Sequence, residues 1–184
     1  MHKTIYDHEF TVVSEDHKFE YQKELTTKLD EFKEDFDQNI LNEIVLWKVN
    51  RYALFSNDLI SQINSIDPND AMIDKQKASE ILFCLLKTRG IQLPMASTIL
   101  RYRNPNLFQI IDQRVFRIIY PKETLKLSNY NSDKNIRSQI DLYLKYLKDL
   151  QDVCVKLEIP FEKSDRILFM ADRRINKEHK LNNY

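Results

Sequence analysis

The sequence predicts an all-α fold, and three observations carry that prediction. Apolar residues recur at the spacing of one helix face over most of the 184-residue chain. Glycine occurs once and proline five times, too few for a turn-rich β architecture. No repeat or low-complexity stretch interrupts the pattern, so residues 1–184 read as one helical domain without a linker. With 42% apolar residues, including 10 Phe, 9 Tyr and one Trp, the chain can bury a sizeable core.

Residues 1–13 read as a short extended segment, with Phe10, Val12 and Val13 available to dock it. Ser14 is placed to cap a helix running to about Gln38, with Leu25, Leu29, Phe32 and Phe36 as its apolar stripe. A second helix, from Ile40 to about Arg51, carries Leu41, Ile44, Val45 and Trp47. A lone Trp at such a position is more often core than a platform for a base. Lys48 and Arg51 share a face and can address a phosphate.

Asn57 and Asp58 cap a short helix through Ile66, and residues 67–70 (DPND) form a turn. Asp74 opens a helix whose buried face is Ala78, Ile81, Leu82, Leu85 and Leu86. The chain's one glycine, Gly90, follows, where the backbone needs φ > 0 or a close approach. Pro94 suits the start of the next helix, with Ala96, Ile99 and Leu100 facing inward. Arg114 to Tyr120 forms a short helix stopped by Pro121, and Ser128 to Asp133 a polar loop. Lys134 to Leu157 is a long helix with Ile140, Leu144, Leu147, Leu150 and Cys154 on one stripe and Tyr143 and Tyr146 beside it. Past Pro160, Ser164 caps a last helix anchored by Ile167, Leu168 and Met170, and residues 173–184 form a basic, fraying tail.

A net charge of zero argues against an indiscriminate nucleic-acid binder. The distribution is uneven, however. Residues 1–40 hold eleven Asp/Glu against five Lys/Arg, whereas residues 85–120 carry Lys87, Arg89, Arg101, Arg103, Arg114 and Arg117 against Asp112 alone. A local basic patch in a neutral protein is what a phosphate footprint looks like, and solvated helix faces look the same. Cys84 and Cys154 are too few and too far apart for a zinc site and read as buried thiols, so no metal and no cofactor is expected. With no secretory signal, membrane-length apolar run or lipidation motif, the expected location is cytoplasmic and no membrane partner is expected.

The stretch from Leu85 to Tyr120 resembles a known family. Thr88-Arg89-Gly90-Ile91-Gln92, followed by Ala96 and Leu100, is similar to the helix-hairpin-helix DNA-binding motif, and Ile110-Ile111-Asp112-Gln113-Arg114-Val115-Phe116-Arg117 is similar to the segment after that hairpin in the base-excision DNA glycosylases related to endonuclease III and the adenine glycosylases. The resemblance implies an all-α, two-lobed bundle, its middle lobe about residues 55–120 and its second lobe built from both termini. It makes Asp112 the catalytic carboxylate and, by a short similarity of the second helix, Glu43 the acid that protonates the leaving base. Lys87, Arg89, Gly90, Ile91, Gln92, Ser97 and Arg101 would contact DNA, and Trp47, Lys48 and Arg51 would line the base pocket or supply a wedge.

Pro94 stands where the family's bifunctional members place their Schiff-base lysine, the four iron–sulfur cysteines of some members are absent, and Gln92 replaces the second hairpin glycine. The expected activity is thus a monofunctional glycosylase without lyase action, a monomer whose partner is duplex DNA with a modified base. The alternatives are a glycosylase-fold protein that binds DNA or a nucleotide without cleaving it, and a helical protein-interaction module. The chemistry suits a carboxylate, because breaking the bond between base and sugar develops positive charge on the sugar. A following helix N-terminus favours the ionised form of Asp112, and the same position makes Asp an ordinary N-cap.

Overall fold

A computed structural model describes residues 22–49, 52–127, 132–179 and 181. Among these residues there are eight α-helices, one 3-10 turn and no strand. The all-α expectation is therefore met. Contacts divide the chain into Met1–Tyr52 and Ala53–Tyr184.

In the first unit, α1 (Lys23–Glu31) and α2 (Gln38–Lys48) pack as a pair. The Trp47 indole N–H donates to Thr26 Oγ1 at 2.9 Å, and Gln22 Nε2 donates to the Trp47 carbonyl at 3.2 Å. Among its described residues, Leu25 and Ile40 are the buried aliphatics. The helix expected to continue to Gln38 ends instead at Glu31, with Phe32 extended and Phe36 63% exposed. Asp30, Glu31, Glu34, Asp35 and Asp37 explain the stop: carboxylates crowd what would be the negative end of a longer helix. Asp37 is used more favourably as the N-cap of α2, accepting the Ile40 N–H at 2.8 Å. The docking segment at residues 1–13 and the Ser14 cap lie outside the described residues.

The second unit holds α3 (Asn57–Asn64), α4 (Lys75–Lys87), α5 (Leu93–Arg103), α6 (Gln113–Ile119), α7 (Asp133–Leu157) and α8 (Ser164–Ile175). Its core is continuous. The predicted face of α4 lies against Ile136, Ile140, Tyr143 and Leu147 of α7, with Leu93, Ala96 and Leu100 of α5, Phe108 and Ile111 of the connecting segment, and Val115 and Phe116 of α6 completing it. Caps set the boundaries: Ser56, Asp74, Asp112 and Ser132 each accept backbone N–H groups of the helix they precede. Gly90 has φ +84°, and the Ile91 N–H closes the turn onto the Thr88 carbonyl at 3.1 Å. Cys84 is half-buried and Cys154 buried, and both are free thiols.

Two features were not visible as sequence patterns. Asn104 is fully buried: its amide donates to the Asp67 and Asp70 carbonyls, and its Oδ1 accepts from the N–H groups of Asn106 and Leu107. One side chain thereby ties the turn at 67–70 to the end of α5. The second concerns α8, whose expected anchors were Ile167, Leu168 and Met170. Only Leu168 is buried; Ile167 and Met170 face solvent, and the inward face also carries Ser164, Asp165 and Asp172. A carboxylate face turns inward only if cations meet it, and α5 and α6 supply them. Ser164 does not cap α8; its hydroxyl donates to the Phe161 carbonyl at 2.8 Å.

No helix among the described residues is long and apolar enough to cross a membrane. Nor do three or more potential metal ligands cluster there.

Candidate active site

Asp112 is held by its approach. The three residues before it are gripped by side chains from two helices: the Tyr143 hydroxyl donates to the Gln109 carbonyl at 2.9 Å, the Tyr146 hydroxyl donates to the Ile110 carbonyl at 2.9 Å, and Ser97 Oγ accepts the Ile111 N–H at 3.2 Å. Ile111 is fully buried between them. A backbone pinned at three consecutive residues delivers the next side chain to a fixed place.

That side chain is half-buried and caps α6 with one oxygen. Oδ1 accepts the Arg114 N–H at 2.6 Å and the Val115 N–H at 2.9 Å. No hydrogen bond among the described residues reaches Oδ2. Burial pushes the Asp112 carboxyl above its ordinary range; the Val115 and Arg114 N–H groups and the Arg114 charge oppose this, and Asp165 adds to it. The N–H groups at the start of α6 do favour the ionised form, but lost hydration outweighs them.

Arg114 and Arg117 take Asp172 of α8 as their carboxylate partner. Asp172 on α8, 1% exposed, receives Arg114 Nη1 at 3.0 Å and both Arg117 Nε at 2.7 Å and Nη2 at 2.8 Å, while Asn176 Nδ2 donates to it at 2.8 Å. Burial raises the Asp172 carboxyl, but donation from Arg117, Asn176 and Arg114 more than cancels this and leaves it below the usual carboxylate range. The guanidinium of Arg114 also lies 5.5 Å from the centre of the Phe169 ring.

The other residues singled out in the sequence fall into distinct places. Gly90 and Arg89 are exposed at the turn, and no hydrogen bond among the described residues uses the N–H of either. Gln92 is exposed and sits at the N-cap of α5 without capping it through its side chain. Lys87 is exposed and paired with Asp133 at 2.6 Å. Ile91 is buried as a core residue.

Ser97 and Arg101 do not present themselves to a ligand. Ser97 is fully buried, and its hydroxyl donates to the Pro94 carbonyl at 2.8 Å while accepting from Ile111. Arg101 is 8% exposed, lies 3.5 Å from Asp165 Oδ2 and donates to the Glu162 carbonyl at 3.1 Å. In this structure both side chains are turned to the interior and support it, Ser97 beneath Ile111 and Arg101 beside Asp165.

In the first unit, Glu43 is held by Lys28, with Nζ 2.7 Å from its carboxylate. Donation to Glu43 also raises the Lys28 ammonium above its ordinary value. Trp47 is half-buried against α1, as a structural Trp would be, and Lys48 is exposed at the end of α2. Arg51 lies outside the described residues.

A cavity of about 470 Å³ opens between α4 and α7, with Phe83, Cys84 and Ile140 as its apolar part and Glu80, Arg137 and Asp141 among its polar walls. Asp112 is not one of its lining residues. Sequence reasoning missed Tyr143, Tyr146 and Asp172 as parts of the site. Their signal was polar atoms on apolar stripes, which has meaning only once a partner is known.

Compared with known proteins, the chain matches no family model, no curated protein and no solved structure.

Proposed function

We propose that this protein binds nucleic acid through the α4–α5 turn and cleaves the bond between a modified base and its sugar, with Asp112 as the carboxylate that stabilises the developing positive charge. The observation that carries this reading is the state of Asp112. It is rigidly delivered, half-buried and uses one oxygen as a cap, and the arginines two and five residues on are bound elsewhere. A cap alone does not need the pinned approach. Partial burial strengthens the attraction between that oxygen and an electron-poor sugar, because little water competes. Arg89 and Gly90 are exposed residues whose N–H groups meet no acceptor among the described residues, which suits them to a phosphate oxygen, the use that the hairpin resemblance implies. With Pro94 in place of a lysine, the reaction is hydrolytic and forms no Schiff base.

A second reading draws on a specific observation. Lys87, Arg101, Arg114 and Arg117 all sit in ion pairs with Asp133, Asp165 or Asp172, which shrinks the basic patch seen in the sequence. That favours a helical protein-interaction module without nucleic acid. One experiment separates the two: incubation with a panel of duplexes that each carry a different modified base, read by release of free base and by abasic-site formation. Release without strand cleavage or a borohydride-trapped adduct supports the glycosylase. Absence of binding to every duplex at low salt leaves the interaction module.

A further inference from the structure

α8 buries a carboxylate, Asp172, beside α6. Asp172 takes three guanidinium hydrogen bonds from Arg114 and Arg117, and a fourth bond from Asn176. Arg114 is also the residue whose backbone N–H already donates to Asp112 Oδ1. Its flexible stem starts next to the Asp112 carboxylate, and its charge acts on that carboxylate. Left without another partner, the Arg114 guanidinium has Asp112 Oδ2 as a nearby anion, and a bond there would occupy the oxygen that the proposed chemistry needs.

We propose that Asp172 is a positioning residue that draws the Arg114 guanidinium onto α8 and so keeps Asp112 Oδ2 open. This rests on the reading of Asp112 as the working carboxylate. Arg117 completes the device. Its Nε and Nη2 hold Asp172 in a two-point grip, which fixes the carboxylate where Arg114 Nη1 meets it. Phe169, one turn earlier on α8, offers its ring to the same guanidinium. The other groups that face Asp112 are Asp165 of α8 and Tyr146 of α7. Asp165 is paired with Arg101, and the Tyr146 hydroxyl donates to the Ile110 carbonyl. Both are thus held in place, and Arg114 is the group able to change partner.

The test is a carboxyl carbon-13 NMR titration of the full chain, with the Asp112 signal assigned by its loss in Asp112→Asn. In Asp172→Asn the Asp112 midpoint is expected to fall by about one pH unit or more, because a freed cation moves onto it. Adding Arg114→Gln to that variant should reverse the fall. Where Asp172→Asn alone does not fold, Asp172→Asn with Arg117→Gln removes the second stranded cation and carries the same expectation. An unchanged midpoint in the folded variant overturns the proposal. So does a fall that Arg114→Gln fails to reverse, since that marks a general structural effect. Base release plays no part in this readout. An inactive wild-type protein whose Asp112 nevertheless shifts sinks the catalytic reading and leaves the effect of Asp172 on Asp112 standing.

Discussion

Two aspartates beside α6 have opposite fates. Asp172 is closed to solvent and saturated by two guanidiniums and an amide, while Asp112 is half-buried and uses only one oxygen. Burial pushes both carboxyls up; in Asp172 the cations reverse the effect, and in Asp112 the two N–H groups do not. Burial alone therefore does not mark a reactive carboxylate. What matters is whether the protein has given both oxygens partners: a saturated carboxylate is structural, and one left partly unsatisfied at a pinned position holds electrostatic energy that a cationic transition state can use.

The largest expected effect breaks the comparison at Asp112. Asp112→Asn keeps size and capping ability, so base release from the right duplex should fall by about 10²–10³-fold or more while the thermal midpoint at pH 7 does not drop. Parallel excision assays and calorimetry check both halves. Next comes Asp172→Ala, which strands two half-exposed guanidiniums and should cost about 3 kcal/mol, or roughly 10 °C in melting temperature, at pH 7.

The two carboxylates should also give stability opposite pH slopes. The lowered pKa of Asp172 means that its contribution is present above the ordinary value of 3.8 and is lost as pH falls through its folded pKa. The raised pKa of Asp112 gives the reverse: its contribution is full below 3.8 and is lost as pH rises through its folded pKa. Urea unfolding across pH 2–7 on wild type, Asp112→Asn and Asp172→Asn, differenced pairwise, should show each slope vanish in its own variant. A flat difference for Asp112→Asn would mean that the N–H bonds and the Arg114 charge fully offset the lost hydration of Asp112. The smallest effect concerns the turn. Lys87→Ala with Arg89→Ala should change stability by less than about 0.5 kcal/mol, since the Lys87–Asp133 pair is exposed, yet weaken duplex binding and its dependence on salt. Affinity measured at two salt concentrations decides it.

The amino-acid order alone already specifies the helical class, the apolar face of α4, the turn at Gly90, the cap at Asp112 and the long α7, because each follows from local rules: periodicity, one residue able to take φ > 0, and side chains able to accept the first free N–H groups. It misjudged the end of α1 and the inner face of α8. The first hinged on the competition of Asp37 for the next helix, and the second on carboxylates that become acceptable inside only beside Arg101, Arg114 and Arg117. Only packing sets which cations of the 85–120 segment are paired: Lys87, Arg101, Arg114 and Arg117 meet Asp133, Asp165 and Asp172, each 46 or more positions away in the chain. A charge in a sequence shows its sign, but its partner is set by packing, and in a low-dielectric interior the partner decides whether the charge holds the fold together or stays available for chemistry.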